Sequence, residues 1–138
     1  MVPVYHSERQ KIERIQKKMC KLIYDLRSLT YQEKLKKLKL LTLRTRRIQH
    51  QLTLVFKMKN KIIDLPFDDF FRKSSYNRTR GNVLKLMIPK SKTKCRKNFF
   101  TCSIVKFWNL LKSSDINCKT IHSFKVKTKK FFLKEEIW

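Results

Sequence analysis

Ser7-Glu8-Arg9-Gln10-Lys11-Ile12-Glu13-Arg14-Ile15-Gln16-Lys17-Lys18-Met19-Cys20-Lys21-Leu22-Ile23-Tyr24-Asp25-Leu26 is the stretch on which the fold class turns. Ile12, Ile15, Met19, Leu22, Ile23 and Leu26 recur at steps of three, four, three, one and three, the spacing of one face of an α-helix. Arg14, Lys17, Lys18 and Lys21 fall on the other face. Ser7 and Gln10 fit a capping box, so a first helix is expected over 8–28, with Ile12, Ile15 and Met19 turned inward.

The same signals repeat downstream. Thr30-Tyr31-Gln32-Glu33 is a second capping box, and it opens an expected helix over 31–39 carrying Leu35 and Leu38. Thr42 is placed to cap a third over 43–63, whose stripe runs Ile48, Leu52, Val55, Phe56 and Ile62 or Ile63 until Pro66. Three amphipathic helices on short links need partners for their stripes, so residues 1–64 are expected to form a small antiparallel bundle.

Beyond Leu65 the periodicity breaks up. Leu65–Phe71 reads as an apolar turn or single helical turn, buried by Phe67, Phe70 and Phe71. Arg72–Asn82 reads as a polar basic loop around the only glycine, and Pro89–Lys97 as a basic connector. Val83–Ile88 is compatible with a short strand, though its alternation is poor. Residues 65–98 thus form an irregular basic segment. Residues 99–138 form a helical pair, with helices expected over 99–112 and 121–132 and Phe99, Phe100, Trp108 and Phe124 as core. The fold class is mainly α.

Charge bounds the function. The 138 residues hold 35 Lys and Arg against 10 Asp and Glu, a net charge of +25. Residues 1–64 carry 17 basic and 5 acidic side chains and 65–138 carry 18 and 5, so the excess is spread rather than gathered in a tail. Such a chain repels itself unless a polyanion neutralises it. With 41% hydrophobic residues and ten Phe it is no disordered basic tail, and a single glycine excludes the Gly-rich phosphate loops of nucleotide-binding enzymes. Met1–Ser7 has neither the basic start nor the apolar stretch of a signal peptide, so an intracellular location, nuclear or cytoplasmic, is expected. The four cysteines show no CxxC pair and read as reduced thiols.

Catalytic constellations are weak. Phe67-Asp68-Asp69 has the paired carboxylates of a polymerase metal turn, but Pro66 precedes it, no alternating strands flank it and a third carboxylate is hard to place. His6, His50 and His122 lie on separate segments, away from any Cys or carboxylate at ligand spacing. No catalytic residue, metal, cofactor or small-molecule substrate is expected. The basic clusters carry the signal: Arg44-Thr45-Arg46-Arg47, Arg72-Lys73 with Arg78 and Arg80, and Lys90–Lys97. Arginine's forked guanidinium suits phosphate, and no base-reading helix is evident, so backbone contact is expected from Arg44, Arg46, Arg47, Arg78, Arg80, Lys94, Arg96 and Lys97. The rival class is a basic helical interaction module, docking on an acidic protein or an anionic membrane surface.

The order of motifs resembles the C-terminal end of the reverse-transcriptase polyprotein of non-LTR retrotransposons, of the jockey and chicken-repeat kind. The motifs are Glu13–Lys18, Leu29–Leu38, Leu43 with Arg46-Arg47, Asp69-Phe70-Phe71, Thr79-Arg80-Gly81 with Leu84-Lys85-Leu86, Arg96–Phe100, Trp108-Asn109-Leu110 and Ser123-Phe124-Lys125. They span roughly Glu8 to Phe132, nearly the whole chain. The resemblance implies a thumb-like and downstream segment that holds template RNA and primed DNA, with the polymerase and endonuclease active sites upstream and a missing polymerase domain as partner. It also implies a fragment, not an enzyme on its own. Lys39 stands where the family usually has glycine, Leu41 and Lys112 where it has proline, and Ser103 where arginine is common.

Overall fold

The computed structural model describes residues 6–74 and 84–135. Among them the protein is mainly α, with no sheet: α1 His6–Leu22, α2 Tyr31–Lys37, α3 Leu43–Lys59, α4 Phe67–Phe70, α5 Lys94–Asn98, α6 Phe100–Leu110, α7 Ser113–Ile116 and α8 Ile121–Lys134. The chain divides into two compact units, Met1–Arg47 with Phe132–Trp138, and Ile48–Phe131. These do not coincide with the expected segments 1–64, 65–98 and 99–138, because α3 from Ile48 onward shares its core with α6 and α8.

In the first unit the helix starts are fixed by side chains. Thr30 accepts from the Glu33 amide, and the Thr30 amide and hydroxyl each donate to the Glu33 carboxylate at 2.7 Å, the expected capping box. Those two bonds hold the Glu33 carboxyl below its ordinary range. Thr42 accepts from the Thr45 amide at 3.2 Å and so caps α3. Ser7 does not cap, since α1 begins at His6 and leaves it inside the first turn. The first helix also ends sooner than expected: Ile23 is extended, and Tyr24–Leu26 form a separate 3-10 turn.

The larger departure is the rotation of α1. Cys20 is buried and Glu13 and Gln16 are half-buried, whereas Ile15 and Met19, expected inside, are 63% and 62% exposed. Polar bonds set this orientation. The Tyr31 hydroxyl donates to Glu13 Oε1, the Leu43 amide at the start of α3 donates to Glu13 Oε2 at 3.0 Å, and Gln16 Nε2 donates to the Leu41 carbonyl at 3.0 Å. One carboxylate therefore serves a phenol and a helix N-terminus at once. Burial, then the bond to Glu13, pushes the Tyr31 hydroxyl's pKa up.

Two helices end on lysine in the left-handed region. Lys39 has φ 51° and Lys61 φ 53°. After α2 the Leu40 amide reaches back to the Leu35 carbonyl and Lys39 to Lys36; after α3 Ile62 reaches Lys57 and Lys61 reaches Met58. Both are Schellman endings, where glycine avoids the Cβ clash. The second explains why α3 stops at Lys59 rather than running to Ile63.

The second unit has an apolar core. Phe56 stacks on Phe124 with ring centroids 4.4 Å apart, Trp108 lies 6.4 Å from Phe124, and all three are buried with Leu52, Ile104, Val105, Leu111 and Ile116. The Gln49 amide nitrogen ties α3 to α8 through the Lys125 carbonyl at 2.8 Å. Of the expected core, Phe100 is half-buried, as is Ile12 in the first unit, and Phe99 is 54% exposed because it sits between α5 and α6 as the cap of both. Near α4 only Phe71 is buried; Phe70 is 42% exposed and Phe67 half-buried.

The expected strand at Val83–Ile88 is, within the described residues, one antiparallel bridge between Lys73 and Leu86. Ser74 donates to the Lys85 carbonyl and Met87 to the Arg72 carbonyl, which leaves Leu86's own amide and carbonyl facing the other way. The Asn109 side chain takes both, at 2.8 and 2.9 Å, in place of a third strand. The Trp108 indole N–H donates to the Leu84 carbonyl at 3.0 Å, so neighbouring α6 residues pin this segment.

Candidate nucleic-acid interface

Arg44 is exposed and Arg46 and Arg47 are half-buried, all in the first turns of α3 and in the first compact unit. Thr45 and Ile48 are buried, Arg44 and Arg47, three apart, are neighbours along the helix surface, and Arg46 points away from both. The expected contacts Arg78 and Arg80 lie outside the described residues.

Lys94, Arg96 and Lys97 are exposed on α5, in the second unit. Pro89–Lys97 is thus not wholly a connector: Thr93, accepting from the Arg96 amide at 3.3 Å, caps a helical turn that begins at Lys94. The Arg96 guanidinium lies over the Phe99 ring, 5.4 Å from its centroid, leaving that ring largely open to solvent. An exposed aromatic face beside three cations was not evident in the sequence, where Phe99 reads as core.

Chain folding gathers further charge at this place. A cleft of about 350 Å³ is lined by Arg72, Lys90 and Arg96, with Asp69 as its single carboxylate and Phe70, Phe71, Met87, Pro89 and Val105 among its apolar lining. Three cations from three separate segments thus meet beside α5. Among the described residues no carboxylate pairs with Arg72, Lys90, Lys94, Arg96 or Lys97. Arg72, Lys90 and Arg96 thus outnumber the one carboxylate of the cleft, and such an excess of clustered cations is the charge pattern that phosphate groups neutralise.

A larger cavity of about 900 Å³ in the same unit is lined by Lys59, Lys61 and Lys73 together with Asp64, Asp68 and the apolar Met58, Ile62, Leu65 and Phe67. Burial lowers the Lys59 ammonium's pKa, and the Lys73 cation adds to the effect. Two carboxylates offset most of its charge, so phosphate is better matched by the smaller cleft. Asp68 and Asp69 are exposed on consecutive positions of α4, about 100° apart around the helix axis, and do not converge. Among the described residues no group of three or more His, Cys, Asp or Glu could hold a metal ion, and no helix is long and apolar enough to cross a membrane.

No family model matches the chain, and neither do curated proteins or solved structures.

Proposed function

We propose that this chain is a nucleic-acid-holding, non-catalytic part of a non-LTR retrotransposon reverse transcriptase, gripping template and primer through their phosphates beside an upstream polymerase domain. The observation that carries the nucleic-acid reading is the cleft where Arg72, Lys90 and Arg96 converge beside exposed Phe99, Lys94 and Lys97. A cationic groove with an open aromatic platform is the arrangement that holds a single strand without reading its sequence: phosphates meet guanidinium and ammonium groups, and a base stacks on the ring. The retrotransposon assignment is supported by the ordered motifs and by Lys39. That residue holds a left-handed backbone at the position where the resembled family usually has glycine, and such a backbone favours glycine. Lys112, at a proline position of the family, has φ −74°, which proline also adopts.

The test is fluorescence anisotropy with a labelled single-stranded RNA and the matching RNA–DNA hybrid across a salt series. Affinity should fall with salt at a log–log slope of about −0.7 to −0.9 per phosphate neutralised. Replacing Arg72, Lys90 and Arg96 by alanine should flatten that slope by about two to three units. Phe99→Ala should cost the single strand about 1–3 kcal/mol and the hybrid far less. Salt-insensitive binding, or a triple variant indistinguishable from the parent, would falsify the reading; an Arg44/Arg46/Arg47 alanine variant asks the same of α3.

A further inference from the structure

Helix α1 presents its most regular apolar pattern to solvent. Ile15, Met19 and Leu22 are 63%, 62% and 73% exposed, and Ile12, half-buried, begins the series. These four residues step by three, four and three, the a/d seam of a two-stranded coiled coil. The orientation is fixed from the other side of the helix, where Glu13 and Gln16 bond to Tyr31, Leu43 and Leu41. Turning the stripe inward would break all of those bonds.

Charge decides what covers it. Lys11 and Lys18 flank the seam, Arg14 and Lys21 lie one step further round, and all four are exposed with no carboxylate partner among the described residues. On the outer side of α1 the one carboxylate is Glu8, a turn before Ile12. Another copy of a +25 chain would add cations to cations. A helix lying in a bilayer surface presents a broader apolar face than this narrow seam.

We infer that the outer face of α1 docks an acidic amphipathic helix of a partner protein, with apolar residues packed between Ile15, Met19 and Leu22 and carboxylates against Lys11 and Lys18. At 17 residues α1 is about 25 Å long, room for a partner helix of some four turns. The docking residues belong to the first compact unit and the residues lining the nucleic-acid cleft to the second.

A three-heptad peptide with leucine at a and d and glutamate at e and g is the probe, with a lysine-for-glutamate peptide as control. The full chain should bind the acidic peptide, induce its helicity and ignore the basic one. Ile15→Ser, Met19→Ser and Leu22→Ser together should weaken binding at least roughly tenfold while leaving the chain's circular dichroism and its RNA affinity unchanged. Lys11→Glu with Lys18→Glu, which leaves the seam intact, should transfer preference to the basic peptide. The inference is overturned by peptide affinity that the triple serine variant leaves unchanged. It is equally overturned by binding to phosphatidylserine–phosphatidylcholine vesicles in place of the peptide, or by a dimer in sedimentation that the serines abolish. Loss of RNA binding by the parent chain would overturn the nucleic-acid reading and leave the docking standing.

Discussion

Helices α1 and α6 both carry apolar periodicity, yet they use it in opposite ways. In α6 Ile104, Val105 and Trp108 point into the core, and the helix has little polar business beyond the bonds of Trp108 and Asn109. In α1 the regular stripe faces water while Cys20 is buried and Glu13 and Gln16 bond to Tyr31, Leu43 and Leu41. Periodicity establishes that a segment is a helix; it does not establish which side is buried when polar residues on another side have specific partners. A buried amide or phenol left without its partner costs about as much as the contact of a half-covered aliphatic chain contributes, so three good polar bonds can turn a helix.

Trp108→Ala should produce the largest loss, about 3–5 kcal/mol in urea unfolding, because it empties the site beside Phe124 and removes the indole donor to the Leu84 carbonyl. Glu13→Ala strips the Tyr31 hydroxyl and the Leu43 amide of their acceptor and should cost about 1–3 kcal/mol. A value near zero would show that polar bonds do not set the rotation of α1. Lys39→Gly works in the opposite direction and should raise stability by about 1 kcal/mol, by removing the Cβ from a left-handed position. Met19→Ser should change stability by less than about 0.5 kcal/mol, the smallest effect of the four. A loss as large as that of Trp108→Ala would mean that Met19 is buried and the comparison mistaken.

Much of the helical framework is legible in the residue order, and the reasons are local. Thr30 with Glu33, and Thr42 before Leu43, announce their helices because capping depends on residues three apart. The helix α8, expected over 121–132, runs Ile121–Lys134 on the same kind of signal, Thr120 accepting from the Ser123 amide. The helix α5 escapes such reading because Lys94–Asn98 has no apolar stripe, although Thr93 is a cap in the usual place. The exposure of Phe99 is hidden for a related reason: it is the joint between two helices rather than a member of either stripe. The cleft is invisible in one dimension, since Arg72 lies far from Lys90 and Arg96 in the chain and the three become neighbours only where the bridge between Lys73 and Leu86 is held beside α6 by Trp108 and Asn109. Arg44, Arg46 and Arg47 form one cluster in sequence, but helical geometry keeps only Arg44 and Arg47 as neighbours and turns Arg46 away from them.

The amide of Asn109 gives Leu86 both of the bonds that an adjoining strand would supply. Its consequence appears in time rather than in shape. A backbone hydrogen at Leu86 can meet solvent only when the Asn109 side chain swings away, so its exchange rate reports the opening of α6 from this segment. Aspartate at 109 would keep the acceptor and lose the donor, separating the half of the clasp that guards the hydrogen from the half that holds the carbonyl.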